Sequence, residues 1–178
     1  DADILQDNVF NLINKLNADN TINGILVQLP IPSHLNEERI LSRIDYSKDI
    51  DGFHAQNIGN LAMKGRTPYF TPCTPLGCLE ILKRENIQIL GKHAVIVGNS
   101  NIVGLPMALI LLKEMATVTV CHIETVNIVD HLKLADIVIS ACGQAQMIKK
   151  EWLKEGVIII DVGINTIPDL NSKKGYRL

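Results

Sequence analysis

Apolar residues in the second half of the chain fall into four short runs, which polar and glycine-containing segments separate. The runs begin at His93 and continue with residues 116–122, 135–141 and 157–162. The last two lack apolar–polar alternation, which is typical of parallel strands that helices cover on both faces. The segments between the runs favour helices, including residues 107–115 and a short helical segment at Trp152. From about Leu90 onward, the pattern predicts a parallel α/β domain.

The first run leads into a glycine turn. Gly98 stands at the strand end, Ser100 follows, and Gly104 and Pro106 fall where a helix starts. A helix N-terminus offers unpaired N–H groups and partial positive charge, and a residue without Cβ lets a phosphate reach the backbone. Strand, helix and next strand span about thirty residues, the βαβ unit of a mononucleotide site. The spacing G-x-S-x-x-x-G-x-P differs from the common G-x-G-x-x-G, so an ordinary strand–turn–helix connection is the alternative.

The first half of the chain shows a different order of elements. Residues 3–17 carry apolar residues at helical spacing, namely Ile4, Leu5, Val9, Leu12, Ile13 and Leu16. Residues 25–29 predict a buried strand that ends in Pro30. A second helix is predicted over residues 36–44, with acidic residues in its first turn, where the helix dipole favours them.

Polar residues then precede a third helix. Residues 49–60 contain glycine and lack periodicity, so they predict either a binding loop or a plain surface loop. Thr74 is predicted to be a helix N-cap with Pro75 at the first helical position, and the helix runs to about Glu85. We expect a hinge between two α/β lobes near residues 83–91.

Composition and charge argue against several classes of function. The 178 residues, 47 % of them apolar, suffice for one large domain or two small ones. The net charge of −2 and the lack of any Lys/Arg run argue against nucleic acid or an anionic membrane as partner. No segment approaches the roughly 18 consecutive apolar residues of a membrane span. No C-x-x-C pair occurs among the four cysteines, Cys73, Cys78, Cys121 and Cys142. We therefore expect buried free thiols rather than disulfides or metal ligands, and a cytoplasmic location, with an organelle left open.

Several motifs occur in a fixed order along the chain. They are GILVQLPIP (24–32), KDIDGFH (48–54), PCTPLGCLE (72–80), the glycine turn (98–106), ATVTVCH (116–122) and IDVGIN (160–165). Together they resemble the methylenetetrahydrofolate dehydrogenase/cyclohydrolase family over nearly the whole chain. The ending, GIN-x-x-PD followed by GYRL, is similar to eukaryotic members, including the first domain of trifunctional one-carbon tetrahydrofolate synthases.

The resemblance implies a fold and a reaction. A Rossmann-type, parallel-sheet NAD(P)-binding domain is expected over residues 89–178, and a smaller α/β folate domain over 1–88, with a cleft between them. Family members oxidise 5,10-methylene-tetrahydrofolate with NADP or NAD, and they hydrolyse the methenyl product to 10-formyl-tetrahydrofolate. The expected ligands are therefore tetrahydrofolate one-carbon derivatives and the nucleotide, with no metal. The expected assembly is a homodimer through the nucleotide domain.

The resemblance also assigns folate-site roles. Asp51 matches a carboxylate that accepts hydrogen bonds from the pterin amino group and ring N–H, since a carboxylate can accept from two adjacent donors. A loop cap is its alternative role. Gln28 matches a side chain that positions the catalytic lysine and the folate, although a polar residue in a buried strand can simply satisfy backbone groups. Leu29 and Pro30 adjoin it, and Thr74 matches a threonine near the junction of folate and nicotinamide, unless it is only an N-cap.

The nucleotide site takes a larger set of residues. The cofactor-binding residues implied are Thr74, Gly98, Asn99, Ser100, Ile102, His122, Ile123, Ala141, Cys142, Gly143, Val162 and Ile164. Two of them depart from the family, which usually has arginine at Asn99 and serine at Ile123, both contacting the 2′-phosphate of NADP. Glu124 would repel that phosphate but could accept a hydrogen bond from a ribose diol. We therefore expect weakened selectivity for NADP and use of NAD.

Two family features are absent from these 178 residues. The lysine that transfers protons in the family follows a tyrosine by four positions, and neither Tyr46, Tyr69 nor Tyr176 has such a lysine. The glycine-proline loop that closes over both ligands in the family is also missing. We expect the chain to be truncated at both ends and inactive alone, within an active bifunctional enzyme. The alternative is a non-catalytic relative that binds nucleotide or folate and acts through a partner subunit.

Overall fold

The structure, a computed structural model, describes residues 3–169, 171–172 and 174–177. The chain divides into two compact units, residues 1–76 and 77–178. This division falls earlier than the expected boundary after residue 88, and the limits of the two functional domains remain a prediction. Among the described residues, no helix is long and apolar enough to cross a membrane.

Helices form most of the regular structure of the first unit. They are α1 (Gln6–Ala18), α2 (Glu37–Leu41) and α3 (Ala55–Ala62), followed by α4 (Cys73–Arg84), which crosses into the second unit. The predicted helix over 3–17 is confirmed as α1, whose buried face contributes Phe10 and Ile13 to the core. The predicted helix over 36–44 is confirmed but shorter, and the Asn36 side chain accepts the N–H of Arg39 at 2.9 Å to cap it.

Two predictions for the first unit are wrong. Residues 25–29 do not form a buried strand, because only Ile25 makes a β-bridge, to Asp49, and Leu26 is 49 % exposed. A strand needs continuous pairing with a neighbour, and the described residues supply a single bridge. The segment 49–60 is not all loop, since α3 begins at Ala55. The His54 ring accepts the N–H of Gln56 at 3.1 Å and caps this helix, a signal that the polar sequence does not reveal.

The start of α4 also differs from the prediction. The helix begins at Cys73, and the Leu76 N–H donates to the Pro72 carbonyl at 3.0 Å. Thr74 is therefore the second helical residue and not the N-cap. Pro75 is the third, where a missing N–H costs nothing because first-turn N–H groups lack helical acceptors.

A parallel sheet organises the second unit. Its strands are β1 (His93–Val97), β2 (Thr117–Cys121), β3 (Ile137–Ser140) and β4 (Ile158–Asp161), in the order β2-β1-β3-β4. All four predicted strands are confirmed, as are the parallel pairings. The helix α5 (Gly104–Lys113) follows β1, a second helix, α6 (Ile128–Leu134), precedes β3, and a 3-10 turn spans Lys150–Trp152.

Burial differs between the central and edge strands. Residues Ala94–Val97 of β1 and all of β3 are buried, as their unbroken apolar sequences predicted. The expectation that residues 157–162 are covered on both faces is wrong for β4, where Ile159 is 46 % exposed. Within the described part of the chain, β4 is an edge strand that pairs with β3 alone. A short antiparallel pair, β5 (Ile167–Pro168) with β6 (Tyr176–Arg177), follows and was not predicted.

All four cysteines are free thiols, but they are not all buried. Cys78 and Cys121 lie in the core, and burial raises the pKa of both thiols. Cys142 is half-buried and Cys73 is exposed, so the expectation of uniformly buried cysteines is wrong.

Asp136 links β1 to the chain that enters β4. Its carboxylate accepts the His93 N–H at 2.9 Å and the Lys154 ammonium at 2.6 Å. The hydrogen bond from Lys154, with that from His93, lowers the pKa of this carboxyl. In the unfolded chain this carboxyl has a pKa near 3.8, and in the folded protein its pKa is lower. The ionised carboxylate therefore stabilises the fold above pH 3.8, and this stabilisation is lost as the pH falls through the pKa of the folded state.

We expect Asp136→Asn to lower the free energy of unfolding at pH 7 by about 1 kcal/mol, because the side chain is 31 % exposed and solvent screens the pair. Urea unfolding at pH 7 and at pH 3 measures this, and the difference from the unmodified chain should shrink at pH 3. The control is Asp130→Asn on α6, which should change stability by less than about 0.5 kcal/mol. A difference that grows in acid would contradict the assignment.

Candidate functional site

The four strands of the sheet end in register. Val97 pairs with Cys121 and Ser140, and Ser140 pairs with Asp161. One residue further on, the N–H groups of Gly98, Ala141 and Val162 each donate to the neighbouring strand at 2.8 Å. The residues that follow the strands therefore share one carboxyl edge. The chain leaves β1 toward β2 on one side and returns to β3 on the other, so this edge holds a topological switch point, where α/β sheets bind ligands.

The glycine turn after β1 leaves no room for side chains. Gly98 has φ +124°, and a Cβ on it would collide with the carbonyl oxygen of Ala141. A Cβ on Gly104 would collide with the carbonyl oxygen of Gly98. The turn therefore needs glycine at both positions. The predicted strand–turn–helix geometry is confirmed.

Hydrogen bonds at this turn leave several donors open. The Ser100 Oγ accepts the N–H of Val103 at 3.2 Å and of Gly104 at 3.4 Å, which leaves its own O–H able to donate. Among the described residues, no hydrogen-bond acceptor lies against the backbone N–H groups of residues 99–102. These N–H groups belong to the turn that leads into α5, and open N–H groups of such a turn can bind an anion such as a phosphate.

The other residues of the second unit that are predicted to bind the nucleotide follow the strand ends or lie in the glycine turn. Ala141, Cys142 and Val162 are half-buried, and Asn99, Ile102, His122 and Gly143 are exposed. Ile123 and Ile164 are 96 % and 78 % exposed. The turn after β2 is held by the His122 N–H, which donates to the Thr125 Oγ1 at 2.8 Å, and it presents Glu124 to solvent.

A cavity of about 170 Å³ lies beside the loop after β3, lined in part by Cys142, Asp161 and Asn165. It is smaller than the roughly 300–1,000 Å³ of most ligand pockets, so it can take only part of a nucleotide. Gln144 and Gln146 also line it and were not predicted. Gln146 has φ +55°, an uncommon conformation for a residue other than glycine, and no sequence signal pointed to it.

The predicted folate-site residues belong to the first unit. Gln28 is exposed and its Nε2 donates to the adjacent Leu29 carbonyl at 3.1 Å, so it does not lie in a buried strand as predicted. The peptide bond between Leu29 and Pro30 is cis. Asp51 is half-buried, and its burial and then the charge of Asp49 raise the pKa of its carboxyl.

The loop of Asp51 packs against the segment that leads to α4. Gly52 has φ +71°, and a Cβ on it would come within 2.8 Å of the Phe70 carbonyl oxygen and 2.9 Å of the Pro72 nitrogen. The Cys73 Sγ lies 3.7 Å from the Ile50 carbonyl oxygen. The loop of Asp51 and the start of α4 are therefore neighbours. A cleft that combines Gln28, Asp51 and Thr74 with Ser100 remains a prediction.

Comparison with known proteins identifies the family. Residues 72–177 match the NAD(P)-binding domain of tetrahydrofolate dehydrogenase/cyclohydrolase, and residues 1–51 match its catalytic domain. The chain belongs to this family. The resemblance that the motifs indicated is thus confirmed, and so is the α/β class with a Rossmann-type sheet.

Individual relatives within the family are close. The bifunctional protein FolD 2 of Arabidopsis thaliana is 57 % identical over 166 residues, which are 93 % of this chain and 56 % of that protein. The FolD structure of Campylobacter jejuni has a TM-score of 0.88 at 46 % identity, covering 98 % of this chain and 60 % of its own. The Trypanosoma brucei FolD, complexed with NADP cofactor and inhibitor, has a TM-score of 0.93 at 38 % identity. That match covers 99 % of this chain and 60 % of the Trypanosoma brucei chain. The chain spans 49–61 % of the length of the FolD relatives it matches and 18–19 % of two yeast C-1-tetrahydrofolate synthases.

Proposed function

We propose that this chain is the central part of a bifunctional folate enzyme. That enzyme oxidises 5,10-methylene-tetrahydrofolate to the 5,10-methenyl form with NADP or NAD, and it hydrolyses the methenyl product to 10-formyl-tetrahydrofolate. The observation that carries the proposal is the glycine turn, where open N–H groups meet the carboxyl edge of a parallel sheet in a chain of this family. The free thiols support a reducing compartment, and we infer a cytoplasmic homodimer.

The residues have distinct roles in the proposed reaction. The N–H groups of residues 99–102 and the Ser100 O–H bind the nucleotide phosphates, and the residues after β3 and β4 line the rest of that site. Asp51 accepts hydrogen bonds from the pterin ring and so orients the folate. A bound nicotinamide nucleotide supplies the hydride acceptor. The protein contributes mainly binding and orientation, because hydride transfer requires the two rings to be held face to face.

The proton steps of hydrolysis require a further group. Residues 1–178 contain no tyrosine followed four positions later by lysine, so the proposal assigns hydrolysis to a longer protein that contains this chain. The test compares residues 1–178 with an extended protein, in which both ends are lengthened to match the relatives. We expect the extended protein to catalyse both steps and the chain alone to be at least ~10²–10⁴-fold slower, the usual contribution of an acid–base group.

Both proteins are assayed for methylene-tetrahydrofolate oxidation and methenyl hydrolysis. Equal activity in the two would show that residues 1–178 carry a catalytic group that our assignment omits. If the extended protein binds both ligands but catalyses neither step, the non-catalytic alternative replaces the proposal.

Cofactor choice is a separate expectation. Asn99 offers a 2′-phosphate at most a neutral hydrogen bond, Ile123 offers none, and Glu124 offers a negative charge. We expect the extended protein to bind NAD at least as tightly as NADP. The double substitution Asn99→Arg with Ile123→Ser should tighten NADP at least about tenfold, because one charge-assisted hydrogen bond contributes about 1.5–3 kcal/mol.

Calorimetric titration of both nucleotides measures this preference. Asn101→Arg is the matched control, since it adds the same charge to the same loop two residues away. This control should increase the affinity for NADP by a smaller factor than the double substitution does. A clear preference of the unmodified protein for NADP would refute the expectation.

A further inference from the structure

Two buried polar side chains lie beside the loop that carries Asp51. Asp49 is 2 % exposed and Asn57 is 1 % exposed, and the proposed function gives neither a role. Burying a carboxylate or an amide costs free energy unless hydrogen bonds compensate for the lost water. The partners of these two groups therefore indicate what they hold in place.

Asn57 uses both ends of its amide. Its Nδ2 donates to the Asp49 Oδ2 and to the Tyr46 carbonyl, both at 2.9 Å, and its Oδ1 accepts the Tyr69 N–H at 3.0 Å. One side chain of α3 thus joins two segments that are distant in sequence, the chain before Asp51 and the chain before α4.

Asp49 carries this constraint into the loop itself. Its Oδ2 accepts the His54 N–H at 2.8 Å, and its backbone carbonyl accepts the Gly52 N–H at 3.0 Å. Both hydrogen bonds reach from Asp49 across Asp51 to a residue that follows it, so Asp49 closes the loop that carries Asp51. Without the donor from Asn57, the buried carboxylate of Asp49 would lose a partner and the loop would lose its link to α3.

The second segment is held from the other side. The Tyr69 N–H binds Asn57, and the following residues Phe70 and Pro72 lie against Gly52. Thr74 follows Pro72 by two residues, in the first turn of α4. The same amide therefore fixes the relative position of the Asp51 loop and the chain that leads to Thr74.

We propose that Asn57 is a positioning residue for folate, which acts through Asp49 on Asp51 and through Tyr69 on the segment before Thr74. It does not itself touch the substrate. This inference rests on the proposed function, because it assumes that Asp51 binds the pterin.

A charge swap in the extended protein tests the inference. Asn57→Asp places two carboxylates against each other and should weaken tetrahydrofolate binding at least about tenfold, with nucleotide affinity within about twofold of the unmodified protein. The double variant Asp49→Asn with Asn57→Asp removes one of the two facing charges and keeps an acceptor for the Tyr69 N–H. Because the Asp49 Oδ2 accepts from both His54 and Asn57, an amide at position 49 satisfies only one of these two contacts, and the Tyr46 carbonyl loses its donor. We therefore expect partial recovery, with tetrahydrofolate bound at least about threefold more tightly than by Asn57→Asp.

Controls separate positioning from general stability. Asn60→Asp makes the same change in the same helix and should leave folate affinity within about twofold. Where Asn57→Asp does not give folded protein, Asn57→Ser removes the same hydrogen bonds without adding charge and must meet the same tenfold criterion.

The outcomes are distinct. Three results would contradict the inference. The first is an unchanged folate affinity in Asn57→Asp or Asn57→Ser, and the second is a folate affinity that falls together with nucleotide affinity. The third is a double variant that regains the melting temperature but no folate affinity. If the unmodified extended protein does not bind tetrahydrofolate, the proposed function itself fails, and that result does not depend on Asn57.

Discussion

Replacing Asp51 with asparagine should weaken tetrahydrofolate binding to the extended protein at least a hundredfold. The isosteric amide keeps the volume of the side chain but removes the charge and one acceptor, so two charge-assisted hydrogen bonds, each about 1.5–3 kcal/mol, are lost or weakened. Burial and the Asp49 charge raise the pKa of the Asp51 carboxyl. As the pH is lowered, folate affinity should therefore begin to fall at a higher pH than it would if Asp51 had the pKa of an ordinary aspartate.

Equilibrium titration with tetrahydrofolate across a pH series measures both effects. The control is Asp45→Asn, an exposed aspartate of the same unit that accepts hydrogen bonds from Ser47. It should leave affinity and its pH dependence unchanged. Folate affinity in Asp51→Asn within threefold of the unmodified protein would remove Asp51 from the binding site.

Replacing Gly98 with alanine should lower the free energy of unfolding by about 3 kcal/mol or more and abolish nucleotide binding. The residue has φ +124°, which side chains rarely adopt, and its Cβ would collide with the Ala141 carbonyl oxygen. Relief would require moving β3 or the glycine turn, and either movement displaces the N–H groups of residues 99–102.

The matched control for this substitution is Gly77→Ala in α4, where a new Cβ meets nothing within 4 Å. In that variant the free energy of unfolding should rise by about 0.5–1 kcal/mol, because alanine restricts the conformations of the unfolded chain and favours the helix. Urea unfolding and calorimetric nucleotide titration compare the two. Equal stability of both variants would show that the turn can rearrange without cost.

The parts of the fold that the sequence predicted well are those in which burial and periodicity agree. The strands β1 and β3 are unbroken apolar runs, and buried parallel strands require just such runs. The glycine turn was equally readable, because only glycine fits where a backbone carbonyl occupies the place of a Cβ. The carboxyl edge then follows from parallel topology, which brings together residues far apart in sequence.

Other parts depend on contacts that no local pattern reveals. The helix α3 is capped by a histidine ring and holds a buried asparagine, so its sequence resembles a loop. The segment 25–29 is apolar enough for a strand, yet a strand forms only where a neighbour pairs with it. Asp49 and Asn57 could not be separated from solvated polar residues in sequence, since their importance lies in hydrogen bonds to the Tyr46 and Tyr69 backbone.

The packing of Gly104 on the Gly98 carbonyl has a consequence for chain length. The loop between these two residues is also closed by the Ser100 Oγ, which accepts the N–H groups of Val103 and Gly104, so an added or lost residue would break these bonds and displace the N–H groups of residues 99–102. Exposed turns such as the one at Gly65, where nothing lies within 4 Å of a new Cβ, carry no such restriction. Insertions, tags and cleavage sites therefore belong in turns of that kind, and natural length variation should concentrate there rather than between β1 and α5.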